Sequence, residues 1–138
     1  MALTKKSGRQ DVIVGACDFD FDDITSGAYA AMVDVPAGAI VVGGYVAVTT
    51  LFNSGTTDKF SIGHKVGSAS AVDTAYSAQS ADITATGLAA AVTPSGAKFT
   101  EAGSVGVRWD GEGAAATAGV GRLIVEYVVD GRTAFSQG

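Results

Sequence analysis

A chain of 138 residues with 47% apolar and only 17% charged side chains has neither a disordered composition nor the charge-rich surface of an ordinary independent soluble domain. Its length suits one domain with one hydrophobic core, and a formal charge of -5 excludes general binding to a nucleic-acid backbone, which needs a basic field to release counterions. No run approaches the roughly 18 apolar residues of a membrane-spanning helix, and the first residues lack the apolar stretch of a secretory signal, so neither membrane insertion nor export is expected.

The 19 glycines follow no G-X-Y period and bring no proline enrichment, which excludes a collagen-like chain. Beside stretches rich in Val and Ile they fit many short strands joined by tight turns. The single cysteine, Cys17, rules out an intrachain disulfide and suits a reducing, cytosolic site of assembly. It reads as a small buried hydrophobe.

Residues 1–9 are polar and basic, with Lys5, Lys6 and Arg9. They read as an arm that is ordered only when a partner holds it, ahead of a single β-sandwich domain over residues 10–138. Valines and an isoleucine over residues 11–17 predict a first strand. Asp18-Phe19-Asp20-Phe21-Asp22 then alternates with period two, which sets both phenylalanines on one face and the carboxylates on the other.

Residues 24–27 read as a turn and 29–35 as a strand closed by Pro36-Ala37-Gly38. The longest β-like run, 39–52, is interrupted by Gly43-Gly44, the mark of a bend, bulge or close backbone approach. A turn over 53–58 leads to a strand at 59–63, where Phe60 and Ile62 share a face. Ala, Ser and Thr dominate residues 67–97. There a short helix over 69–80 competes with irregular loop, and the absence of an apolar 3.6-residue period argues against the helix. Short edge strands fit 82–86 and 88–92.

After a turn at 93–96, Phe99 enters a strand, and Val105, Val107 and Trp109 alternate with Gly106 and Arg108 in another. Residues 110–119 read as loop and 122–130 as the clearest strand, with Leu123, Val125, Tyr127 and Val129 on one face. Its other face holds Ile124 and Val128 beside Arg122 and Glu126, so this strand is either buried on both sides or covered by a partner. Some eight short strands without a 20–50 residue repeat point to an all-β, double-sheet sandwich or barrel.

Chemistry is sparse. No phosphate-binding glycine motif or nucleophile elbow is present. The sole histidine, His64, reads as a turn or surface residue, and no spacing pairs it with Cys17 as a nucleophile or in a zinc site. The strongest candidate is Asp18, Asp20, Asp22 and Asp23, a carboxylate edge whose repulsion a basic partner or, less favoured, a weakly bound cation would relieve. From Gln10 through Asp58 stand seven aspartates and no lysine or arginine, whereas the arm before them is basic. An arm of one subunit lying on the acidic face of a neighbour would satisfy both.

The runs Val35-Pro36-Ala37-Gly38-Ala39-Ile40-Val41-Val42-Gly43-Gly44, Phe52-Asn53-Ser54-Gly55-Thr56-Thr57-Asp58 and Gly119-Val120-Gly121-Arg122-Leu123-Ile124-Val125-Glu126-Tyr127-Val128-Val129 resemble small structural proteins encoded among the head genes of tailed bacteriophages. The likeness spans most of residues 30–130 and is to the capsid cement, or decoration, proteins of short-tailed phages related to a Bordetella phage. It implies a jelly-roll fold, a place on the outer surface of the virion shell, and a bridging contact with capsomers of the major capsid protein after assembly in the host bacterial cytoplasm. It carries over no catalytic residue and no cofactor.

The expected protein is therefore a non-enzymatic virion component that meets the major capsid protein and copies of itself, as a homodimer or other small homo-oligomer. The interface residues would be Lys5, Lys6, Arg9, Asp18, Asp20, Asp22, Asp23, Ile124 and Val128. One alternative is a tail, fibre or baseplate module binding a host glycan through Tyr29, Tyr45, Tyr76 or Trp109, although the place of Trp109 in an alternating strand favours core packing. Another is a small hydrolase, which would have to gather His64 with an aspartate.

Overall fold

The computed structural model describes residues 11–130. They form eight strands with no helix among them: β1 (Ile13–Asp20), β2 (Tyr29–Val35), β3 (Ala39–Thr50), β4 (Thr57–Val66), β5 (Val72–Ser77), β6 (Gly87–Ala91), β7 (Gly103–Glu112) and β8 (Val120–Val129). One sheet has the order β1-β8-β3-β6 and the other β2-β7-β4-β5, and every pairing is antiparallel. Pairing β1 with β8, β2 with β7, β3 with β6 and β4 with β5 amounts to one long hairpin rolled so that its strands fall into two sheets. This is the jelly-roll wrapping of a β-sandwich.

Period-two side-chain direction fills the space between the sheets. Val41, Val46, Val48, Leu123 and Val125 face inward from one sheet, and Phe60, Ile62, Val105 and Val107 from the other, each no more than 2% exposed. Removing such side chains from water stabilises the fold by about 1.5–3 kcal/mol each. At one end Phe52 stacks between elements of both sheets, its ring 5.1 Å from Phe60, 5.0 Å from Trp109 and 6.2 Å from Phe19.

The glycine pair in β3 does what its position implies. The register against β8 slips between Val41 and Gly43, and Gly44 has φ +135° with the Ile124 carbonyl where a Cβ would stand. Only glycine meets both conditions without strain.

Several expectations need correction. Residues 72–77 are a strand, β5, rather than helix or loop, and 82–86 lie outside any strand. The expected strand at 88–92 appears as β6, and β7 runs on to Glu112, into the expected loop. Phe99 is buried and its neighbour Lys98 makes an isolated bridge to Ile40, short of a full strand. Strand β1 ends at Asp20, so Phe21 and Asp22 stand in the turn that follows.

Candidate interaction surface

The outward faces of the two sheets differ in chemistry. On the β2-β7-β4-β5 sheet, Arg108 is clamped by Asp73 at 2.7 Å and Asp110 at 3.2 Å, and Gln79 donates to Asp110 at 2.6 Å. The Tyr29 hydroxyl meets Ser104 Oγ at 3.0 Å. These groups satisfy one another, and the two carboxylates hold the Arg108 guanidinium more basic than usual.

The β1-β8-β3-β6 sheet presents the opposite. Residues paired across strands point to the same side, so its outer face is read from the register: Val14 with Glu126, Ala16 with Ile124 and Tyr45, Asp18 with Arg122 and Ala47, Ala47 with Leu88, and Val128 with Ile40. Val14 is 61% exposed, Leu88 66%, Val42 41% and Tyr45 39%. Of the eight exposed large hydrophobics, five, these four and Val120, belong to strands of this sheet, whereas only Val72 belongs to a strand of the other. A shallow groove crosses this face between Tyr45, Thr49, Val120 and Ile124. Scattered apolar residues on a surface are ordinary, but a continuous apolar sheet face is the kind of surface that protein partners cover.

Ile124 and Val128 lie here, half-buried between the flanking strands. Asp18 also lies here, paired to Arg122 Nε at 2.5 Å and Nη2 at 3.2 Å. The hydrogen bond from Arg122 is the main reason the Asp18 carboxyl sits below the usual range. This pair is exposed and counts for little in stability, and with Glu126 it supplies the charge on a face whose other residues are mostly apolar.

The expectation that Asp18, Asp20 and Asp22 line one strand face is corrected. Asp20 Oδ1 accepts the backbone N–H groups of Asp22 at 2.8 Å and Asp23 at 3.0 Å, and Asp23 Oδ2 accepts that of Asp20 at 3.0 Å. The Asp20 and Asp23 carboxylates thus build a turn by capping backbone donors, the ordinary local work of short carboxylates. Among the described residues no group of three or more His, Cys, Asp or Glu side chains is arranged to hold a metal ion. Lys5, Lys6 and Arg9 lie outside the described residues.

His64 is neither a turn nor a free surface residue. It belongs to β4, and its ring stands edge-on to Tyr76 at 5.5 Å and Phe99 at 5.6 Å. Its Nδ1 is buried and meets no hydrogen-bond partner among the described residues, so no carboxylate orients it as a triad would require. Cys17 lies in the other sheet, and burial is the main cause raising its thiol pKa, which opposes nucleophilic use. Trp109 is 5% exposed, and its Nε1 donates to buried Asp58 at 2.8 Å, so it offers no platform to a sugar.

Sequence reasoning missed Val14, Val42 and Leu88 as surface determinants, and offered Tyr45 only as an aromatic for glycan binding. The slip at Val41–Gly43 breaks alternation in β3, and a lone Leu88 in an alanine-rich strand carries no period.

These features define an eight-stranded jelly-roll sandwich with one polar, self-satisfied outer face and one apolar outer face. Its wrapping is similar to a chain in the acid-stable capsid structure of Helicobacter pylori bacteriophage KHP30, with a TM-score of 0.64 and 16% identity, covering 89% of this chain and 92% of that one. It is also similar to a chain in the capsid asymmetric unit of cyanophage Pam1, with a TM-score of 0.60 and 22% identity over 94% of this chain and 92% of that one. At such identities the likeness is one of fold. No protein-family model and no curated protein matches the chain.

Proposed function

We propose that this chain is a non-enzymatic structural protein of a phage virion, a cement or decoration protein on the outer capsid surface that bridges and stabilises capsomers of the major capsid protein. It would be assembled in the host bacterial cytoplasm, associate with itself as a dimer or other small oligomer, and use no cofactor. The observation that carries this reading is the apolar outer face of the β1-β8-β3-β6 sheet, with Val14, Val42, Tyr45 and Leu88 exposed. An enzyme keeps its chemistry in a cleft, whereas a shell-binding protein needs a broad surface complementary to a repeated partner. The two capsid chains of similar wrapping support the same reading.

Ile124 and Val128 then contribute to the covered face, and the basic residues Lys5, Lys6 and Arg9 with the Asp18–Asp23 edge contribute contacts between neighbours. The test is a cryo-electron microscopy map of the native particle, with purified protein added back to shells that lack it. Density on the outer shell at capsomer junctions is expected. Density confined to the tail, or no density on the particle, overturns the reading.

A further inference from the structure

Three polar residues are buried among those described: Asp58, Ser61 and Ser104, at 4%, 2% and 6% exposure. Asp58 holds Trp109, and Ser104 meets the Tyr29 hydroxyl. The hydroxyls of Ser77 and Ser80 also have work, accepting the backbone N–H groups of Ile62 and Phe60. Ser61 Oγ has no such partner among the described residues, and buried hydroxyls are rarely left so. Phe60 and Ile62 on either side point into the core, so Ser61 points to the outer face of the β2-β7-β4-β5 sheet, across from Arg108.

There it forms the floor of a depression of about 380 Å³, walled by Arg108, Asp73, Asp110 and Gln79. Strand β5 leans over β4 at Gly63, where an added Cβ would strike the Val72 carbonyl and the Asp73 backbone. That close approach brings Asp73 to Arg108, two strands away in the sheet. The volume falls in the range of small-molecule sites, roughly 300–1,000 Å³.

Charge and hydrogen-bonding capacity narrow the ligand. Asp73 and Asp110 are set against Arg108 and against Lys59, which pairs across from Asp110. Two acids facing two bases give neither an anion nor a cation a net field, and no group of three metal-ligating side chains occurs among the described residues. Arg108 spends Nε and Nη2 on Asp110 Oδ1 and one Nη1 hydrogen on Asp73 Oδ2. Of its five N–H groups two remain, beside the second Asp73 oxygen and the Ser61 hydroxyl. Donors and acceptors thus stand side by side. An ammonium offers donors alone and a phosphate or carboxylate mainly acceptors, whereas each hydroxyl of a sugar does both.

We propose that this depression binds a neutral saccharide, with adjacent sugar hydroxyls bridging Arg108 and Asp73 and a third group reaching Ser61 Oγ in place of solvent. No aromatic ring lines the depression, so the contacts are polar and the affinity is modest, with a dissociation constant of about 1 mM for a ligand of a dozen or so atoms. The site lies on the sheet opposite the apolar face. A chain seated on a shell by that apolar face would hold the site outward, and this orientation alone rests on the proposed function.

The test is an amide-resolved NMR titration of the full chain with glucose, galactose, mannose, rhamnose and N-acetylglucosamine, each to about 50 mM, far above the expected constant. At least one should give saturable shifts at Ser61, Asp73, Gln79, Arg108 and Asp110, whereas sodium phosphate and calcium chloride should give none there. Ser61→Ala should weaken binding about tenfold and leave the melting temperature unchanged, since that hydroxyl holds no internal bond. Arg108→Lys keeps the charge but loses the paired N–H groups and should abolish saturation. No saturable response to any of the five sugars overturns the site, as does phosphate or calcium binding at these amides, or sugar binding that Ser61→Ala leaves intact. Sugar binding by a chain that gives no density on the particle would sink the capsid reading alone, whereas capsomer density from a chain that binds none of the sugars would sink this site alone.

Discussion

The indole Nε1 of Trp109 donates to Asp58 Oδ1 over 2.8 Å, which ties β7 to the start of β4 beneath the aromatic cluster. The same carboxylate accepts the Ser54 N–H at 3.1 Å, and the Asp58 backbone N–H donates to Asp82 at 2.8 Å. One buried acid therefore organises the 53–58 turn and anchors the segment before β6. Trp109→Phe keeps an aromatic ring but strips a donor from a carboxyl that is 4% exposed. Urea unfolding should show a loss of about 2–3 kcal/mol, the scale of a buried hydrogen bond to a charged group. In a double-mutant cycle with Asp58→Ala the two losses should be less than additive, and strict additivity would show that the bond contributes nothing.

The bulge in β3 gives a second prediction with an internal control. Gly44→Ala combines a strained φ of +135° with a Cβ 2.2 Å from the Ile124 carbonyl, whereas Gly87→Ala, at φ +120°, meets nothing within 4 Å. Backbone strain alone costs about 1–3 kcal/mol. Gly44→Ala should therefore lose clearly more stability in the same urea titration. Equal losses would mean that β3 and β8 can move apart at no cost.

The fold was legible wherever large side chains alternate with small or polar ones. Val105, Val107 and Trp109, and Leu123, Val125 and Tyr127, face inward as their spacing implies, and Gly43-Gly44 marked the bulge. The segment 67–97 was opaque because β5 carries a single large inward residue, Tyr76, among Ala, Ser and Thr, too little to set a period. The aspartates misled for a different reason: charge alternation continues past Asp20, but the carboxyls of Asp20 and Asp23 hydrogen-bond nearby backbone N–H groups and end the strand. The apolar outer face depends on which strands are neighbours, and topology is not written in any one strand.

Alkaline pH should reveal Tyr76. Burial pushes its hydroxyl up to about 12, well above the ordinary value of 10.0. Below about pH 10 both folded and unfolded chains keep the proton, and the group leaves stability independent of pH. Between about pH 10 and 12 the unfolded chain releases a proton that the folded chain retains, so stability falls as pH rises, by roughly 2–3 kcal/mol across the window. Tyr29, also raised by burial, acts in the same direction. Tyr76→Phe should flatten part of this fall in denaturant melts, and a tyrosinate absorbance titration should show a late-ionising group in the wild type that the variant lacks. An unchanged pH slope would show that Tyr76 ionises in the folded chain as freely as in the unfolded one.

The apolar sheet face predicts a separation between folding and assembly. Leu88 and Tyr45 are exposed in the isolated chain, so Leu88→Asp and Tyr45→Glu should shift unfolding stability by no more than about 0.5 kcal/mol, as surface substitutions do. On a face that a shell partner covers, each would bury an unpaired carboxylate and weaken shell binding by about 2 kcal/mol or more, roughly thirtyfold. Thr74→Glu, on the polar face beside Asp73 and Arg108, is the matched control and should leave occupancy unchanged. Occupancy is read from band ratios of purified particles after adding each variant to shells that lack the protein. If the Thr74 variant fails to bind while the Leu88 and Tyr45 variants bind normally, the sandwich docks through its other sheet.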